Sequence, residues 1–127
     1  MQNQKSAIGM DANITALIGY PIGILALVLI FIEKDNKFVR FHALQSVLWS
    51  VGVTIGIVVV AVVGMILTLV LSAVSGTVAT LVGFLLMLVY LVLFLVLFGG
   101  MIFAAYKAYS GEMFKLPLVG GMAEKWV

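Results

Sequence analysis

The sequence predicts an all-α integral membrane protein, and three observations lead there: its hydrophobicity, its charge distribution and its lack of barrel-like alternation. Of 127 residues, 65% are hydrophobic and 9% are charged, whereas ordinary soluble domains contain roughly 25% charged residues. No Asp, Glu, Lys or Arg occurs from Phe41 to Tyr106, and an uncharged apolar run well beyond about 18 residues is typical of transmembrane helices. Because only helices and closed barrels pair every backbone group within hydrocarbon, and the short alternating segments of a barrel are missing, helices are predicted.

The first predicted span covers residues 14–32, close to the roughly 20 residues that cross about 30 Å of hydrocarbon. Pro21 lies within it and lacks the backbone N–H that would bond to the preceding turn, so a kink is expected there. Gly19 and Gly23 form a small-xxx-small pair, which favours close contact with another helix.

The charged loop at residues 33–41 cannot lie in hydrocarbon, and the uncharged stretch after it would extend about 100 Å as one helix. That stretch must therefore turn back. Its densest cluster of small and turn-forming residues is 72–77, which predicts spans over 42–71 and 77–108 and a tail over 109–127. The whole chain is then a single transmembrane domain with three helices, and a fourth crossing from the same stretch is the alternative.

The basic residues predict the orientation of these spans, because an excess of Lys and Arg marks the cytoplasmic side. One group lies in the first loop and the other follows the last helix, so an even number of crossings should separate them. The groups are Lys34, Lys37 and Arg40, and Lys107, Lys115 and Lys125. Three spans in a prokaryotic plasma membrane are expected, with the amino terminus outside and the carboxyl terminus cytoplasmic.

The second predicted helix carries small residues at multiples of four. Gly52, Gly56, Gly64 and Thr68 form this ridge, along which a neighbouring backbone can approach. The partner is either the third helix or another chain, and we expect the third helix, where Gly83, Gly99 and Gly100 offer a matching surface.

The sequence offers little for catalysis or for binding a cofactor, a metal or nucleic acid. Apart from His42 at the start of the second span and Lys107 at the end of the third, the spans contain no His, Asp, Glu, Lys or Arg, and the chain contains no Cys, whereas acid–base catalysis and ion-coupled transport need titratable groups held in place. His42 is the single histidine, and a metal site typically needs three or four ligands, so we expect a solvated residue at a helix start. Seven Lys and Arg residues form no broad basic face for nucleic acid. We expect no enzyme, no cofactor and no nucleic-acid partner.

Two stretches carry a family resemblance, Phe38–Ser46 after the first helix and Tyr106–Gly120 after the last. The pair resembles small membrane proteins related to the twenty-kilodalton component of the chloroplast inner-envelope translocon. That group includes bacterial and archaeal proteins of unassigned function and magnetosome membrane proteins. For the plastid relatives the resemblance implies four helices and a link to preprotein import. For the magnetosome relatives it implies a role in shaping or populating a membrane compartment.

The leading hypothesis is a non-enzymatic scaffold or accessory subunit of a larger membrane complex, which contacts lipid and other membrane helices. A component of a protein-translocation or small-solute pore is the alternative, and a subunit contributing to a partner's active site is a third possibility. We predict that the two motif stretches meet on the cytoplasmic surface, with Arg40 paired to Glu112. This motif face comprises Arg40, His42, Gln45, Tyr106, Lys107, Tyr109, Gly111, Glu112, Lys115 and Pro117.

Overall fold

The computed structural model describes residues 4–127, and the regular structure of this part is helical apart from one isolated bridge between Lys5 and Asp11. The helices are α1 (Ala12–Ile18), α2 (Gly23–Ile32), α3 (Lys37–Val74), α4 (Gly76–Tyr109) and α5 (Val119–Trp126). Within the described residues, α3 and α4 are the two helices long and apolar enough to cross a membrane. The prediction of an all-α membrane protein is confirmed.

The connection between α3 and α4 is shorter than the predicted turn at residues 72–77. The helical geometry is interrupted at Ser75 alone. Its backbone N–H donates to Leu71 O, and its Oγ accepts a hydrogen bond from the N–H of Val78 at 3.3 Å. Ser75 therefore ends one helix and caps the next, since a serine oxygen satisfies a free N–H of the first turn.

The first predicted span is not one helix. The chain leaves helical geometry between α1 and α2, where Ile22 has φ −110° and ψ 84°. Pro21 explains the break, because proline supplies no N–H to the helix and disfavours helical geometry in the residue before it. The resulting helices have 7 and 10 residues, and ten helical residues extend only about 15 Å. Continuity over residues 14–32 was therefore wrong, and the expected kink is a complete interruption.

The chain also returns to its starting level across this segment. The N–H of Ala7 donates to Glu33 Oε2 at 2.6 Å, although a straight helix over residues 14–32 would separate its ends by about 27 Å. Ser6 and Thr15 are joined by a hydrogen bond between their hydroxyls at 2.8 Å. We call residues 12–32 the amino-terminal hairpin, since α1 and α2 run out and back.

The chain divides into two compact units. The first, which we call the network unit, contains the residues up to Val51 together with Gly99–Val127. Its core includes Ala16, Leu29, Phe38, Val39, Ala104 and Ala108. The second, the helix-pair unit, is Gly52–Phe98, and most of its large apolar side chains are exposed on the surface of the protein.

Candidate functional site

His42 is the centre of a buried hydrogen-bond network in the network unit. Its Nε2 lies 3.0 Å from the backbone oxygen of Glu112, and its Nδ1 lies 2.8 Å from the hydroxyl of Tyr20. Because a carbonyl oxygen only accepts, Nε2 donates to Glu112. In the neutral ring Nδ1 then accepts from Tyr20. Both nitrogens are therefore engaged in holding the tail and the connection between α1 and α2 against the first turns of α3.

Aromatic rings surround His42, which is 1% exposed. The ring centroids of Phe38 and Phe41 lie 4.7 and 5.1 Å from that of the imidazole, and both contacts are edge-on. The expectation of a solvated histidine was therefore wrong. The sequence contained a usable signal, since Phe38, Phe41, His42 and Gln45 follow the spacing that places residues on one face of a helix.

Gln45 is fully buried and uses its amide in three directions. Its Nε2 donates to the hydroxyl of Tyr20 at 2.7 Å and to the backbone oxygen of Phe114 at 3.0 Å. Its Oε1 accepts from the N–H of Leu116 at 2.8 Å. A buried amide without partners would destabilise the fold, whereas this one bonds to Tyr20, which lies between α1 and α2, and to two backbone groups of the extended tail.

The sequence analysis missed Gly120, which closes the network from the side of α5. A Cβ at this position would lie 2.6 Å from Lys115 Cβ and 2.8 Å from Gln45 Oε1. Only a glycine leaves room for the first turn of α5 to pack this closely on the tail. The residue before α5's first turn, Leu118, has φ 68° and is 91% exposed.

Tyr20 and Ser46 were also missed as network residues. Ser46 donates from Oγ to the backbone oxygen of Gly19 at 2.9 Å, where the interrupted helix leaves that carbonyl accessible. From the sequence, a serine and a tyrosine inside apolar runs predict only local hydrogen bonds. The actual partners of Tyr20 and Ser46 are 22 to 27 positions away in the chain.

The structure brings some of the ten predicted motif-face residues together and separates others. His42 and Gln45 contact the tail directly, but Glu112 forms its ion pair with Lys107 at 2.9 Å instead of with Arg40. Arg40 is half-buried, and its Nε has no hydrogen-bond partner in the structure. Lys115 pairs with Glu124 at 2.6 Å.

The remaining motif-face residues have different placements. Gly111 ends α4 with φ 80°, and the N–H of Glu112 donates to Lys107 O, an arrangement that satisfies free carbonyls at a helix end. Tyr106 and Tyr109 are exposed on α4, and Pro117 is exposed in the tail. The motif stretches therefore meet through buried side chains at α3 and backbone groups of the tail.

The predicted glycine contacts are only partly present within the chain. A Cβ at Gly64 would meet the side chain of Leu86 on α4 at 3.1 Å, so this position packs as expected. A Cβ at Gly23, Gly52 or Gly56 would have no atom within 4 Å, and Gly19 has ordinary contacts only. The intrachain contact expected at Gly52 and Gly56 was therefore wrong, and packing of these positions against another chain stays a prediction.

Beside the network lies an open apolar groove of about 440 Å³. Its lining includes Tyr20 and Pro21 from the hairpin and Met101, Ala105 and Tyr106 from α4. Within residues 4–127, no three His, Cys, Asp or Glu side chains are grouped so that they could hold a metal ion. The polar groups of the site are engaged in bonds that connect segments of the fold.

Long apolar helices and this network define a helical integral membrane protein whose tail is bonded to α3. The chain belongs to the family described as the magnetosome magnetite crystal formation protein family, whose model matches residues 3–123.

Two archaeal relatives cover nearly the whole chain. A UPF0132 membrane protein of Methanocaldococcus jannaschii is 34% identical over 123 residues, which are 96% of this chain and 94% of the relative. A UPF0132 membrane protein of Archaeoglobus fulgidus is 31% identical over 119 residues, which are 93% of this chain and 97% of that relative. No solved structure matches the chain. These relatives fall in the broad group that the motifs resemble, and the relation to the chloroplast translocon stays a prediction.

Proposed function

We propose that this protein is a non-enzymatic membrane scaffold or accessory subunit that presents a rigid tail surface to a partner protein. The observation that carries the proposal is the burial of His42 and Gln45 in hydrogen bonds to the tail. Rigid presentation of a segment lowers the entropy lost when a partner binds it. In this chain the polar side chains are used to hold the tail and not to face a substrate.

The exposed part of the tail supports a contact role. Leu118 is 91% exposed and has φ 68°, in a region that bulky residues rarely adopt. Trp126 is 56% exposed at the end of α5, and aromatic residues of this kind are enriched at protein interfaces. Backbone strain at an exposed apolar residue is a reason to test for function there.

The membrane side of the proposal follows from the helix-pair unit. It contains none of the chain's charged residues, and its exposed apolar side chains fit lipid or the helices of a partner. We assign the first loop and the tail to the cytoplasm, since five of the seven Lys and Arg residues lie in these segments and Lys107 lies at the end of α4, next to the tail.

A pore component is the second candidate, favoured by the resemblance to a translocon subunit and by the uncovered surface at Gly52 and Gly56. Copies packed at these positions would need to line a wet path. Ion or solute flux through liposomes that contain the purified protein would favour this candidate over the scaffold.

The test of the scaffold is a pull-down of the full-length chain in mild detergent followed by mass spectrometry, comparing wild type with Leu118→Gly. Glycine accepts φ 68° without strain, so this variant should keep or raise its melting temperature while it loses the exposed side chain. We expect a partner whose recovery falls at least tenfold with Leu118→Gly. Gly121→Ala, on the exposed side of α5 with no atom within 4 Å of its Cβ, is the matched control and should keep the partner. Equal recovery in all three chains would contradict docking on the tail.

A further inference from the structure

We propose that the amino-terminal hairpin enters only one leaflet of the bilayer and returns to the same face, so that Gln4 and the tail lie in one compartment. The occupant of its exposed apolar surface is then the lipid of that leaflet. This inference rests on the geometry of the network unit and not on the proposed scaffold function.

Contacts at the open end of the hairpin place its start and its finish at one level. Ala7 bonds to Glu33, and Glu33 Oε1 accepts from the N–H of Asn36 at 3.2 Å, one residue before α3 begins. On the other side, Asn13 donates from Nδ2 to the backbone oxygen of Tyr109, the last residue of α4. The hairpin therefore opens where α3 starts and α4 ends.

The depth of the closed end can be measured along α3. The backbone oxygen of Gly19 accepts from Ser46, and Tyr20 contacts His42 and Gln45. Ser46 lies nine residues beyond Lys37, the first residue of α3, which corresponds to about 14 Å along the helix axis. A membrane with its headgroups is about 40 to 45 Å thick. With Lys37 at the headgroup level, the hairpin thus reaches about two thirds of the way through one leaflet and stops well before the opposite face.

The surface of the hairpin fits this depth. α2 is apolar throughout, and Ile24 and Phe31 are 78% and 75% exposed. Charged residues lie beyond both arms of the hairpin, with the Lys5–Asp11 pair before α1 and Lys34 and Asp35 after α2. With 10 residues, α2 is too short to span the bilayer, and apolar stretches of about this length occur in segments that enter a membrane and return. Pro21, at the closed end, ends the outward arm and permits the return.

The exposed surface of the hairpin lies beside the apolar surfaces of α3 and α4, the two helices long enough to cross the bilayer. This favours lipid over a protein partner as its occupant. The hairpin packs on the first turns of α3 and the last turns of α4, which are the helices long enough to cross the bilayer. If the bilayer surrounds these turns of α3 and α4, it also surrounds α2. Water on this face would instead meet a row of large apolar side chains.

Cysteine labelling tests the topology directly, because the natural chain has no cysteine. Single cysteines replace exposed residues in Gln4→Cys, Asp35→Cys, Gly76→Cys and Lys125→Cys, and each chain is treated with a membrane-impermeant maleimide in intact and in permeabilised cells. We expect Gly76→Cys alone to react in intact cells. Labelling of Gln4→Cys together with Gly76→Cys, with Asp35→Cys protected, would show three crossings and overturn the hairpin. The fully reversed pattern would support the hairpin and contradict only the cytoplasmic assignment.

A second measurement tests the occupant. Ile24→Cys protein is purified and placed in phospholipid vesicles, so that no partner protein is present. Its thiol should react with the same polar maleimide at least tenfold more slowly than that of Asp35→Cys on the same face. As a control for the intrinsic reactivity of each thiol, both rates are measured again after the vesicles are solubilised in a detergent that keeps the protein folded. Equal rates in vesicles would place α2 in water and overturn lipid as the occupant.

Discussion

The two units of this chain reach stability in different ways. All the buried polar side chains of residues 4–127 lie in the network unit, and they are Ser6, Thr15, Glu33, Asn36, His42, Gln45 and Ser46. The helix-pair unit has almost no buried side chains, and the hydroxyls of Thr68 and Thr80 donate to carbonyl oxygens of their own helices. In lipid an apolar surface needs no core, whereas a tail and an interrupted helix must satisfy their backbone groups through specific partners. Substitutions should therefore be costly in the network unit and mild in the helix pair.

The largest difference is expected between two adjacent glycines of α5. Gly120→Ala would force a Cβ to within 2.7 Å of Lys115 Cα, a backbone atom that cannot move alone. We expect a loss of about 3 kcal/mol, at the upper end of the range for overpacking. Gly121→Ala meets no atom within 4 Å and should be neutral or slightly stabilising. The midpoint of thermal unfolding in detergent measures both, and equal midpoints would show that α5 does not pack as described.

A smaller difference should separate polar groups of the two units. Gln45→Leu removes the partners of Leu116 N–H and Phe114 O, and unpaired buried groups should lower the free energy of unfolding by about 2 kcal/mol. Thr80→Val removes a hydroxyl that bonds only to Gly76 O on its own helix and is exposed, so a change within about 0.5 kcal/mol is expected. Denaturant titration followed by tryptophan fluorescence compares them. A Gln45→Leu protein as stable as wild type would remove the basis for a tail held by the network.

The smallest difference is expected inside the helix-pair unit. A Cβ at Gly64 meets the flexible end of Leu86 at 3.1 Å, whereas a Cβ at Gly56 meets nothing. Gly64→Ala should therefore be less stable than Gly56→Ala by about 1 kcal/mol or less, since both positions lie in α3 and alanine favours the helix equally at each. Melting temperatures at low protein concentration report this difference. Size-exclusion chromatography of Gly56→Leu beside the wild type tests the ridge further. A change in oligomeric state would show that the ridge packs against another chain.

The sequence by itself determined the membrane class, the helical fold and the positions of α3 and α4, because a long uncharged apolar run has no other stable conformation in a bilayer. It also pointed to the two motif stretches and to Pro21 as a point of weakness. Only the tertiary structure decided that the first apolar segment turns back, since a proline signals a kink and a break alike.

The role of His42 and Gln45 was also a matter of tertiary structure. Their partners at Glu112, Phe114 and Leu116 are 69 to 71 positions away in the chain. Helical periodicity reports which face a residue shares with its neighbours, but not which distant backbone group comes to lie against that face. The same polar side chain is compatible with solvent or with burial until the tail is in place, and the hydrogen bonds that make burial favourable form only there.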